Sequence, residues 1–154
     1  MARLRCRTQK EIHGGSDMNV VSNPKEFAFA GNATITLESE NTKNRFTYKI
    51  NQSSDDSNLF FVKLLHGPDN DNDFHYVGCY YLDTGYFHPC KKYREIPVNF
   101  WPPSMRAITF FLDHLDNLPK KLHVYHEGRC GRCGRKLTTP ESIERGFGPE
   151  CCRL

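Results

Sequence analysis

The chain lacks any apolar run near the about 18 residues that a membrane-crossing helix needs, so no transmembrane segment is expected. Its start, MARLRCRTQKEIHGG, lacks the apolar stretch of a secretory signal peptide. The expected location is therefore the cytoplasm, where the seven cysteines are not expected to pair as disulfides. A surplus of charge is missing too: 21 Lys and Arg against 18 Asp and Glu leave +3, which does not by itself imply a duplex-DNA partner. No nucleophile–base pair, phosphate-cradling glycine loop or pair of carboxylates stands out, so no enzyme and no small-molecule substrate are expected. Asp69, Asp71 and Asp73 begin like a calcium loop, but Phe74 stands where glycine is required and Tyr80 where the closing Glu is due. That stretch reads as an acidic turn. No internal repeat is present.

What the chain does have is rings. Eleven Phe, seven Tyr and one Trp offset a modest 38% hydrophobic content, because each large ring buries much area from one position. Residues 1–25 read as a disordered arm, basic through Arg3, Arg5, Arg7 and Lys10, with Met18 a second candidate start. Ala33, Ile35 and Leu37 alternate with polar neighbours, as do Phe46, Tyr48 and Ile50 beyond a polar turn, which predicts a β-hairpin. LFFVKLL, residues 59–65, has the length and apolarity of a central strand. FHYVGCYYL and YFHPCKKY form a second predicted hairpin across Asp83, Thr84 and Gly85. After Pro103 the period turns helical, with Met105, Ile108, Phe111, Leu112 and Leu115 on one stripe and Pro119 as the stop. KLHVYH is a last short strand. The expected class is α+β: an antiparallel sheet of four or five strands on one amphipathic helix, plus a C-terminal knob. The domain limits are 1–25 for the arm, 26–122 for the α+β domain and 123–154 for the knob.

The knob carries the sharpest signal. Cys130 and Cys133 form a C-x-x-C with Gly131 inside and Gly134 after it, the spacing that puts two thiolates on one tight turn. Gly148, Pro149 and Glu150 look like a helix start, which favours a thiolate at Cys151 through exposed amides and the helix dipole. Together these resemble a shortened treble clef around one structural zinc. His126 is the first choice for fourth ligand, with Cys152 and His123 as runners-up. Residues 127–154 offer only Leu137, Ile143, Phe147 and Leu154 as large apolar side chains, so metal binding is the natural stabilising term. A redox C-x-x-C wants a βαβ context and a helix directly after its first cysteine, and neither is read here. A catalytic zinc needs an open position and a general base, and nothing marks Glu127 or Glu150 as one.

The stretch HEGRCGRCGRKLTTPESIERGFGPEC resembles a small domain family of unknown function from tailed-phage and bacterial proteins. Its pattern, C-x-x-C-G-R-x-L-T-x-P-x-S-I followed by G-x-G-P-x-C, is matched from Cys130 through Cys151. The resemblance implies zinc binding and a phage or prophage setting, and supplies no activity. Cys152 is an extra cysteine beyond the pattern.

Two partner classes fit these features. Arg129, Arg132 and Arg135 around the knuckle, with Lys91, Lys92 and Arg94 near Tyr93, Phe100 and Trp101, suit single-stranded nucleic acid, in which bases stack and phosphates are neutralised. Against this, the knuckle arginines could simply offset thiolate charge, and the rings could anchor the core. The alternative partner is a host enzyme or defence protein, the chain acting as an inhibitor or adaptor. His75, Cys79, His88 and Cys90 form a second metal site only if all project from one face of their hairpin.

Overall fold

The computed structural model describes residues 20–21, 23–68, 72–126 and 129–134. The arm before Val20 and the knob beyond Gly134 lie outside the described residues. Within them the chain forms one six-stranded antiparallel sheet in the order β5-β4-β3-β2-β1-β6. Its strands are β1 (Asn32–Ser39), β2 (Arg45–Gln52), β3 (Leu59–Leu65), β4 (Phe74–Tyr81), β5 (Tyr86–Pro89) and β6 (Leu122–His126). The sheet is thus wider than the four or five strands expected. KLHVYH, already read as a strand, joins it as β6 by pairing with β1. The limit drawn between residues 122 and 123 falls inside this strand.

Both hairpins take the register their alternation predicts. Ile35 lies opposite Tyr48, and Tyr80 opposite Phe87, with Gly85 at φ +70° in the turn. Inward-facing Ala33, Ile35, Leu37, Tyr48, Ile50, Phe60, Val62 and Val124 are all buried. Helix α3 (Pro103–Asp113) covers this face with Met105, Ile108, Phe111 and Leu112, while Arg106 and Asp113 face water. The Tyr48 hydroxyl donates to the Ser104 carbonyl at 2.6 Å, which ties the start of α3 to the middle of β2. Burial holds that phenol far above its ordinary pKa, so it remains a neutral donor.

Three details depart from the sequence reading. Residues Pro24–Ala28 form a short helix, α1, whose cap is Asn23 Oδ1 accepting from the Glu26 amide at 3.2 Å. The second hairpin stops at Pro89, which has no amide for the ladder, and the chain turns into α2 (Lys91–Arg94). Helix α3 ends at Asp113, before Pro119, because the His114 amide and ring both turn back onto its last carbonyls and Leu115 is only half-buried.

Removing only the Tyr48 hydroxyl leaves the half-buried Ser104 carbonyl without that donor. Tyr48→Phe should lower stability by about 1–2 kcal/mol in urea unfolding, with an unchanged slope.

Candidate functional site

The knuckle is built on the rim of the sheet where β1 begins. The Gly134 amide donates to the Cys130 carbonyl at 2.9 Å, and Gly134 adopts φ +79°, so the turn closes in the left-handed conformation glycine permits. The Arg132 amide points at Cys130 Sγ at 3.4 Å, the amide-to-sulfur bond that favours a thiolate. Two further bonds fasten this turn to β1. The Asn32 amide donates to the Gly131 carbonyl at 2.8 Å, and Asn32 Nδ2 to the Cys133 carbonyl at 3.3 Å.

Gly131 has no room for a side chain, since a Cβ there would lie 2.7 Å from the Phe27 ring. Phe27 is also 5.7 Å, ring to ring, from His126, which is 1% exposed at the end of β6. One ring from α1 therefore neighbours both the fourth-ligand candidate and the cysteine turn. Cys130 is fully buried and Cys133 exposed. These features fit the first half of a zinc knuckle. Cys151 and Cys152 lie outside the described residues, as do Glu127 and Glu150. Among the described residues no group of three or more His, Cys, Asp or Glu is placed to hold a metal. His123, a runner-up ligand, is half-buried with Nε2 3.6 Å from Glu40.

The basic candidates are not gathered in one patch. Lys91, Lys92 and Arg94 are exposed on α2, next to the edge strand β5, whereas Arg129 and Arg132 are exposed beside the opposite edge strand, β6. Those edges stand about 24 Å apart at about 4.8 Å per strand. Arg129 also reaches back, with Nη1 3.3 Å from the Gly134 carbonyl, and so helps close the knuckle. Arg135 lies outside the described residues. The rings near α2 divide as well. Tyr93 and Trp101 are buried, with the indole Nε1 donating to the Tyr93 and Ile96 carbonyls at 3.0 and 2.9 Å. Phe100 is 77% exposed.

His75, Cys79, His88 and Cys90 do not share a face. His75 lies opposite inward-facing Leu64 and packs on His66, while Cys79 and His88 are opposite each other on the outer face. Cys90 begins α2, its amide bonded to the Val77 carbonyl. Desolvation, His66 and Lys92 together keep His75 below the ordinary histidine range.

The sequence reading passed over the outer face of the sheet. Apart from Glu38, no carboxylate occurs in any of the six strands. Lys49 and Lys63 stand directly opposite each other there, flanked by Thr34 on one side and Tyr76 on the other. Lys49 Nζ sits 4.7 Å from the Phe74 ring centre. Desolvation first, then a hydrogen bond with Cys79, push the Tyr76 phenol up to about 12, so it stays neutral. Alternation alone could have placed these side chains together, because the apolar inward set fixes which residues face out.

Residues 120–154 match the model of a family of unknown function (DUF6011), a segment that starts just before β6 and takes in His126 and the knuckle. No curated protein and no solved structure matches the chain.

A methyl group at position 131 must push Phe27 or the turn aside. Gly131→Ala should cost about 1–3 kcal/mol of stability, read from a thermal melt of the full chain.

Proposed function

We propose that the chain is a non-enzymatic binding module of phage type, held at its C-terminus by one structural zinc, whose partner is nucleic acid in single-stranded form rather than duplex. The observation that carries the reading is the cysteine turn itself. It combines an amide-to-sulfur bond at Cys130, a left-handed Gly134 and exposed Arg132 on a rim seated against β1. Cys130, Cys133, Cys151 and His126 are the residues that would hold the ion. Zinc there supplies a cross-link and no reaction chemistry. The C-terminal pattern supports a phage or prophage setting, and with it the host cytoplasm. No helix among the described residues is long and apolar enough to cross a membrane.

A second reading, an inhibitor or adaptor that binds a host protein, draws on one feature. Val98 and Phe100 are exposed together in the single helical turn Val98–Phe100 that precedes α3. A pull-down from host lysate after nuclease treatment separates the two, since a host protein retained under those conditions favours this second reading.

Labelled single-stranded DNA and RNA should bind the full chain with micromolar affinity at about 50 mM salt and lose most of it by about 200 mM, through counterion release. Fluorescence anisotropy checks this, and absence of binding at the lower salt removes the nucleic-acid reading.

A further inference from the structure

Two cross-strand rows run over the outer face of the sheet. The first passes from Asn32 through Asn51, Phe61 and Cys79 to His88, and the second from Thr34 through Lys49 and Lys63 to Tyr76. The first row starts at the knuckle, because Asn32 Nδ2 donates to the Cys133 carbonyl and Asn51 Nδ2 to Asn32 Oδ1. The second ends near α2, whose Arg94 is close enough to favour ionisation of the Tyr76 hydroxyl. These rows connect the two basic clusters that stand at opposite edges.

The Lys49–Lys63 pair is the unusual feature. Like charges directly opposite on neighbouring strands are destabilising. Neither ammonium forms an ion pair with a described carboxylate, and strands β2 to β5 contain no Asp or Glu to offset them. Rings lie around them: Phe74 against Lys49, and Phe61 at 6.3 Å from Tyr76, which is itself 44% exposed. Further along, His88 packs on Tyr81 and on Tyr86. Cations without counter-charges, interleaved with accessible rings, complement a polyanion whose units carry flat faces.

We infer that the outer face of β2 to β5 is the path of the nucleic acid, with phosphates at Lys49 and Lys63 and a base stacked on Tyr76. This rests on the nucleic-acid reading above and names the surface that serves it. A single strand is the form that fits, because the bases of a duplex are stacked on each other and unavailable to Tyr76.

The test is anisotropy titration of the full-length chain with labelled oligo-dT and oligo-U of about 15 nucleotides. A Lys49→Ala, Lys63→Ala double variant should reduce the slope of log affinity against log salt by about 1.4, or about 0.7 per phosphate contact. Its melting temperature should not fall, because a like-charge pair has been removed. Tyr76→Ala should weaken binding about 5- to 100-fold, and Tyr76→Phe, which keeps the ring, less than about 2-fold. The DNA and RNA arms show which source is preferred. If the wild-type chain binds and these variants bind as it does, while Arg129→Ala with Arg132→Ala abolishes binding, the sheet-face path is overturned and the nucleic-acid reading stands. A lysine variant that binds weakly and also melts lower marks the pair as structural and overturns the path too. A wild-type chain that binds neither oligonucleotide removes both.

Discussion

The C-terminal turn keeps its place because Gly131 presents bare backbone to Phe27. That close approach lets the Asn32 amide reach the Gly131 carbonyl and brings Cys130 into the core. The same Phe27 ring lies beside buried His126. Hydrogen bonds from Asn32 at the start of β1 and the Phe27 ring of α1 hold this turn against the sheet. The cysteine turn is thus tied down at the start of β1.

The two faces of the sheet do different physical work. The inner face carries the apolar half of each strand and is closed by α1 and α3, with the Tyr48 hydroxyl as its fixed polar tie. The outer face keeps polar pairs such as Thr36 Oγ1 and Thr47 Oγ1, 2.7 Å apart, and the unbalanced lysines. A face used only for solubility would be expected to mix both signs of charge. Across β2 to β5 there are basic side chains and no carboxylate, and that asymmetry is the main reason to look for an anionic partner there.

Much of this was legible from residue order. The alternation in residues 33–38 and 45–50 fixed the first hairpin, because a slip by one residue would expose Ile35 and Tyr48 together. The helical stripe of Met105, Ile108 and Leu112 was equally clear, and so was the family of the C-terminal segment. Other features depended on tertiary partners. That β6 would close against β1 cannot be read from LHVYH alone, since pairing partners are set by topology. Trp101 and Phe100 are adjacent and chemically alike, yet one finds carbonyl acceptors in the core and the other faces water. The two basic clusters, drawn together by composition, were separated by strand order. The cation row on the outer face was visible in principle, but only once the strands could be aligned.

The proposed binding module stands or falls with the cysteine turn being a metal knuckle. Native mass spectrometry of the freshly purified full-length chain tests that most directly. One zinc per chain is expected, released by acid or chelator and absent in Cys130→Ser. A folded chain that carries no zinc, and takes up none when it is supplied, would contradict it.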